Sequence, residues 1–255
     1  MLLNAFFVNA TYAFIKKADM KGAYLMNIVK SFKNLSCFER GLLGGSIAVI
    51  IISFWVSGSQ DYMSLIASLI GATGLIFVAK GDVLGQVITM LFSLFYAYIS
   101  YQCRYYGEMI TYLGMTAPIA FMAVMTWLRN PYSDNEVKVR LISRAGFALL
   151  VLAAAIVTWF FYYILKYFNT ANLIWSTVSI TTSFMAASLT MLRSKYYALW
   201  YALNDIVLII LWIMAGGTGF KYLSMIICFC IFLVNDMYGY IQWCRMEKRQ
   251  NEEYC

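Results

Sequence analysis

Eight apolar runs divide this chain, and their length limits what it can become. They lie at approximately 41–56, 62–79, 83–101, 109–128, 145–165, 172–192, 196–214 and 220–243. Most approach the ~20 residues that an α-helix needs to cross the hydrocarbon layer. None alternates in polarity as a barrel strand does, and prolines occur only at Pro118 and Pro131. The fold expected is an all-α polytopic membrane protein with eight transmembrane helices. The composition agrees: 62% of residues are apolar and 12% charged, where soluble domains average roughly 25% charged.

Charge tests the count. The net charge of +7 invites a nucleic-acid reading, but basic residues also collect on the cytoplasmic side of membrane proteins. With the N-terminus and every second loop on one side, sixteen of the 19 lysines and arginines fall together. Only Arg104, Lys166 and Lys221 fall on the other. This positive-inside bias predicts eight crossings with both termini in the cytoplasm, and no nucleic-acid partner. Residues 1–40 mix lysines with scattered apolar side chains and read as a cytoplasmic or interfacial, partly helical segment.

An internal repeat is visible. Residues 64–127 and 176–243 share a layout: an apolar run, a basic break, then two more runs ending in Trp127 or Trp243. The breaks are Lys80-Gly81-Asp82 and Arg193-Ser194-Lys195, and the interval from break to tryptophan is 47 residues in one copy and 50 in the other. Three spans per copy is an odd number, so parallel copies need an extra crossing between them. The organisation predicted is a segment 1–40, an extra helix 41–57, a three-helix repeat 62–128, a linker helix 145–166, a second repeat 172–243 and a cytoplasmic tail 244–255. This is a SWEET-like pseudo-two-fold plan of three plus one plus three, with substrate expected near midplane between the repeats.

Amides and carboxyls at membrane depth need a reason. Tyr197, Trp200 and Asn204 are spaced i, i+3, i+7 and share one helix face, with Asp205 adjacent. Asn235, Tyr238 and Gln242 repeat the spacing, with Asp236 adjacent. Asn204 and Asn235 each lie eight residues from the cytoplasmic end of their runs, roughly 12 Å deep at 1.5 Å per residue. Two polar faces at one depth are expected to meet. They can serve as interhelical glue, worth about 0.6–2 kcal/mol per contact, or line a passage; the number of groups favours the passage. In the first repeat, Thr89, Ser93 and Tyr96 share a face one turn beyond Gln86, although such hydroxyls also bond the preceding backbone turn. Pro118 is expected to bend the fourth span beside a cavity. Trp55, Trp127, Trp175 and Trp243 fall near span ends and suggest an interfacial belt.

Other classes find no support. The chain has no histidine, so its six cysteines form no zinc motif. No phosphate-binding loop of the GxxxxGK[ST] type occurs, and no nucleophile–base pair stands out. Neither an enzyme nor a cofactor-binding protein is expected.

Trp200-x-x-x-Asn204-Asp205, then Asn235-Asp236-x-Tyr238-Gly239-x-x-x-Trp243, resembles the PnuC-type nicotinamide riboside transporters. Ala79-Lys80-Gly81-Asp82, Tyr105-Tyr106-Gly107-Glu108 and the stretch from Pro118 to Trp127 fit the same family. The resemblance spans residues 64–243. It implies a facilitator in the bacterial inner membrane that admits nicotinamide riboside for NAD synthesis, with a cytoplasmic kinase trapping the product. Related members carry thiamine or other vitamins, and thiamine is the alternative substrate. Tyr197 stands where the family usually has the first Trp of Trp-x-x-Trp, and Ala120 near the place of a frequent glutamine. On this resemblance the substrate-binding set is Tyr197, Trp200, Asn204, Asp205, Asn235, Asp236, Tyr238 and Gln242, with Ser93 and Tyr96 from the first repeat. Tyr197, Trp200 and Tyr238 are assigned to the pyridinium ring, a cation that aromatic faces attract by about 0.5–2 kcal/mol. Asn204, Asn235 and Gln242 are assigned to polar recognition, and Asp205 or Asp236 to the positive charge. Partners expected are the lipid bilayer and a second copy of the chain.

Overall fold

A computed structural model describes residues 28–57, 62–133, 135–216 and 222–252. Most of the segment expected at 1–40, namely residues 1–27, lies outside the described residues, as do residues 58–61, 134, 217–221 and 253–255. Eight helices are long and apolar enough to cross a membrane: α1 (Cys37–Val56), α2 (Tyr62–Ala79), α3 (Val83–Gln102), α4 (Tyr106–Arg129), α5 (Arg144–Tyr167), α6 (Leu173–Met191), α7 (Tyr197–Gly216) and α8 (Leu223–Glu252). A short helix, Ile28–Lys33, precedes them.

The helix ends follow local chemistry. α1 begins four residues before its apolar run because Ser36 and Glu39 form a reciprocal capping box. α8 continues past Trp243 to Glu252, so residues 244–252 of the expected tail are helical. No glycine or proline stops it, and Gln250 ties it down by donating to Glu136 and to the Val137 carbonyl and accepting from the Val139 amide. The segment between α4 and α5 holds a small antiparallel hairpin, β1 (Pro131–Ser133) with β2 (Glu136–Val137), a minor departure from an all-helical chain. Near Pro118 the helix widens into a π turn at Tyr112–Thr116, where the Ala117 amide donates to the Tyr112 carbonyl. The wider turn accommodates a residue with no amide hydrogen.

Packing is interleaved. α2 packs on α3 and on α8, and α6 packs on α7 and on α4. α5 lies outside against α6, with Leu152, Ile156, Trp159 and Tyr163 exposed. α1 lies against α2 and α8.

The two basic breaks have the same backbone. Gly81 at φ 69° donates to Val78, and Asp82 donates to Phe77; Arg193 at φ 61° donates to Thr190, and Ser194 to Leu189. Each is a left-handed helix stop closed by two backbone bonds. The tryptophans that close the two apolar triplets reach across. Trp127 Nε1 donates to the Thr190 carbonyl and Trp243 Nε1 to the Val78 carbonyl, both at 2.9 Å. Both are fully buried, so they do not belong to an interfacial belt; Trp55, 74% exposed, fits one.

Candidate functional site

A cavity with ≈ 630 Å³ of unfilled space, measured to its open side, lies among six helices. α2 lines it with Gly71, Leu75 and Val78, α3 with Gln86, Thr89 and Phe92, and α4 with Tyr112 and Thr116. α6 adds Ser183, α7 adds Tyr201, Asn204 and Asp205, and α8 adds Phe229, Phe232 and Asp236.

Gly71 makes room. A Cβ there would sit 2.2 Å from the Phe232 ring and 3.0 Å from that of Phe92. The Phe92 and Phe232 rings meet edge to face at 5.5 Å, and Tyr112 meets Phe92 at 6.0 Å. One part of the lining is therefore aromatic.

The opposite part is polar and pre-oriented. Asn204 Oδ1 accepts from Thr182 at 2.8 Å, Ser183 at 2.9 Å and Ser179 at 3.4 Å. With its oxygen committed to α6, the amide nitrogen is the group that Asn204 offers the cavity. Asp205 and Asp236 both line the cavity, so their carboxyls face one space. Asp205 Oδ2 and Thr116 Oγ1 are buried and find no partner in the protein. Two unmatched polar atoms at a cavity wall are what a polar ligand satisfies. Among the described residues no lysine or arginine lines this space.

Of the residues singled out from sequence, the cavity brings together Asn204, Asp205 and Asp236, along with Gln86 and Thr89. Asn204 and Asn235 do not meet: Asn235 turns to α1, donating to Ser46 at 3.3 Å and to its own helix at Ile231. Tyr238 also faces α1, donating to Glu39 at 3.1 Å with its ring against Phe38. Glu39 in turn pairs with Lys80 at 3.0 Å. Tyr197 is buried against Trp243, ring centroids 4.9 Å apart, in the cluster where Trp200 is half-buried. Gln242 is half-buried nearer the basic end of α8. Ser93 donates to the Thr89 carbonyl. Tyr96 is buried one layer behind the lining, touching Phe92, Tyr112 and Phe229 and accepting from Trp212 Nε1 at 3.0 Å.

Gly71, Tyr112, Thr116, Ser183, Tyr201, Phe229 and Phe232 were not expected. Two signals were available. Phe229, Phe232 and Asp236 are spaced i, i+3, i+7, and Tyr201 lies one turn before Asn204 and Asp205. Ser179, Thr182 and Ser183 form a hydroxyl stripe on the sixth run at helical spacing.

Eight helices long and apolar enough to cross a membrane, six of them around a space lined by polar and aromatic side chains, define a multi-pass membrane protein. Residues 61–245 match the family described as nicotinamide mononucleotide transporter, and the chain belongs to that family. Its members are transporters and not enzymes. The chain is 27% identical over 255 aligned positions to the nicotinamide riboside transporter PnuC of Neisseria mucosa, covering 93% of each. It is 24% identical to the transporter of the same name from Haemophilus influenzae, covering 79% of this chain and 88% of that one. A crystal structure of the vitamin B3 transporter PnuC shares its fold, with a TM-score of 0.74 at 24% identity, over 85% of this chain and 94% of that one.

Proposed function

We propose that this chain takes up nicotinamide riboside across the bacterial inner membrane, with both termini in the cytoplasm and the substrate held in the six-helix cavity. The observation that carries the reading is the wall chemistry: two neighbouring carboxyls, an amide presented nitrogen-first, aromatic rings, and no lysine or arginine among the lining residues. A pyridinium riboside is a flat cation with a carboxamide and hydroxyls. The carboxyl pair offsets its charge, the rings receive its face, and the Asn204 amide donates to its carboxamide oxygen. The family description names the mononucleotide, whereas the relatives' names give the riboside. The wall favours the riboside. A phosphate brought beside Asp205 and Asp236 with no lysine or arginine in the lining is left uncompensated.

In this reading Asn204, Asp205 and Asp236 touch the substrate, joined by Tyr201, Tyr112, Phe92 and Phe232. Tyr197, Trp200, Asn235, Tyr238, Gln242, Ser93 and Tyr96 support the site or border the path to it. The crosswise tryptophan bonds and matched helix stops support a parallel three-plus-one-plus-three duplication, 62–128 and 172–243, that rocks about the cavity. A cytoplasmic kinase that phosphorylates the riboside supplies the sink, and the exposed face of α5 is available to lipid or to a second copy. Uptake of labelled nicotinamide riboside, its mononucleotide and thiamine into vesicles containing the purified protein tests the proposal. Riboside alone should enter at low concentration. Entry of the mononucleotide at equal efficiency removes the electrostatic argument, and entry of thiamine instead reassigns the substrate.

A further inference from the structure

Glu108, on the first turn of α4, lies outside the cavity lining and has no part in the mechanism above. It is 2% exposed. Its Oε1 has no hydrogen-bond partner, and its Oε2 faces the Ser179 hydroxyl at 3.4 Å. The same Ser179 oxygen is 3.4 Å from Asn204 Oδ1. Serine has one hydrogen to give, so it serves one of these acceptors at a time. Both separations are long for an O–H···O bond, so neither acceptor holds the hydroxyl fast.

We propose that Glu108 is a positioning residue that sets, through Ser179, how firmly the substrate-facing amide of Asn204 is held. With Glu108 ionised, the Ser179 hydrogen goes to the carboxylate, because a charged acceptor forms the stronger bond. Asn204 Oδ1 then keeps only Thr182 and Ser183. With Glu108 protonated, its O–H donates to the Ser179 oxygen, and the Ser179 hydrogen turns to Asn204. Three donors then pin the amide oxygen and aim its nitrogen at the cavity. The proton stays on Glu108, and only hydrogen bonds change hands.

The surroundings leave this device to Glu108 itself. Tyr96 from α3, Tyr112 on α4 and Tyr105 just before α4 are the titratable groups that face it. Leu165 of α5 and Thr170 pack on the neighbouring Gly107. Among the described residues no lysine or arginine lies against the carboxyl, which meets only Ser179.

The substrate used to read the effect rests on the riboside proposal. Riboside uptake into vesicles is measured at matched inner and outer pH, from mildly acidic to mildly alkaline. Wild type is compared with Glu108→Gln and Ser179→Ala, and thiamine serves as a second probe. Asp205 and Asp236 titrate alike in all three proteins, so the comparison among the three reads Glu108. Relative to Glu108→Gln, whose amide donates at every pH, wild-type KM should fall about threefold to tenfold toward acid, the net worth of one hydrogen bond, with kcat steady. Relative to Ser179→Ala, wild type should be equal at alkaline pH and lower in KM in acid. A ratio of wild-type to Glu108→Gln KM that stays constant across pH, or a Ser179→Ala profile parallel to wild type, overturns the proposal. If wild type takes up neither compound, the substrate reading fails, and the Glu108 link is judged alone by infrared difference spectroscopy. The carboxyl stretch that Glu108→Gln abolishes should shift in Asn204→Ala; an unmoved band overturns the link.

Discussion

Trp127 and Trp243 touch at 5.6 Å between ring centroids, and each sends its indole N–H to the backbone at the end of a helix from the other half of the chain. The accepting carbonyls, Thr190 and Val78, each lie three residues before a left-handed helix stop, and each also accepts from that stop. The two halves are thus clasped at one end by a pair of equivalent bonds. Replacing either tryptophan by phenylalanine keeps an aromatic ring, removes the donor and leaves part of the indole's buried space empty. Each variant should lose about 2–3 kcal/mol of stability, from the bond and from the space left behind, and melt several degrees lower. Because the rings touch, the double variant should lose less or more than the sum. Thermal unfolding of the detergent-purified protein measures all three; additive losses would mean that the clasp does not act as a unit.

The carboxyl pair gives a second prediction. The double variant Asp205→Asn with Asp236→Asn removes both titratable groups and with them any charge the pair can carry. Selectivity for the charged riboside over its uncharged dihydro form should then fall on the order of tenfold, as expected when a charge beside a bound cation is lost in a partly screened site. Competition uptake with the two forms reads the ratio. A ratio equal to wild type would separate the pair from cation recognition.

Much of this arrangement is legible in the sequence. Runs of ~20 apolar residues leave a bilayer-spanning chain few alternatives to helices, and the distribution of the basic residues predicts which helix ends share a side. Asn204, Asp205 and Asp236 stand out because their desolvation at that depth is costly. The extent of the cavity along each stripe is harder to read. Helical spacing places Tyr197 and Asn204 on one face, but the cavity lining on α7 begins at Tyr201, and Tyr197 is covered by Trp243. Asn235 and Asp236 are adjacent, so they point about 100° apart on a helix. One meets α1 and the other the cavity, and only the position of α1 decides which. Gly71 leaves no signal at all, since its contribution is the space that it does not fill.

That space yields a third prediction. Gly71→Ala places a methyl where the Phe232 ring end now lies, 2.2 Å away. The ring end is the part free to move, and the cavity is the open direction. Overpacking of this kind costs about 1–3 kcal/mol, and here it falls on the bound state as well as on the fold. KM for the riboside should rise roughly tenfold while the protein remains monodisperse. Gly71→Leu should abolish uptake. Phe232→Ala in the Gly71→Ala background should restore part of the affinity by returning the volume, and a failure to do so would locate the damage elsewhere on α2.

The last prediction concerns the extension of α8 beyond the membrane run. Gln250 is 3% exposed, and its amide is fully used: it donates to Glu136 at 2.7 Å and the Val137 carbonyl at 3.1 Å, and accepts from the Val139 amide at 2.8 Å. Arg249 pairs with the same Glu136. Through the hairpin the tie reaches the first basic break, since the Val137 amide donates to the Gly81 carbonyl at 3.0 Å. Asn135 extends it by donating to Asp82 at 3.1 Å. The extension, the hairpin and the α2–α3 turn are therefore tied together by hydrogen bonds. Gln250→Ala leaves the Val137 carbonyl and the Val139 amide without this partner, while Glu136 keeps Arg249, and an unmet buried group costs about 1–3 kcal/mol where water does not replace the bond. Gln250→Glu keeps two acceptors and loses both donors, next to the Glu136 carboxylate. It should be the more damaging of the two, because it adds like-charge repulsion. Arg249→Ala, at an exposed ion pair, should cost at most about 1 kcal/mol. Thermal melting should rank the three as Glu, then Ala at 250, then Ala at 249. A ranking in which Arg249→Ala is worst would transfer the anchoring role from the buried amide to the surface charge.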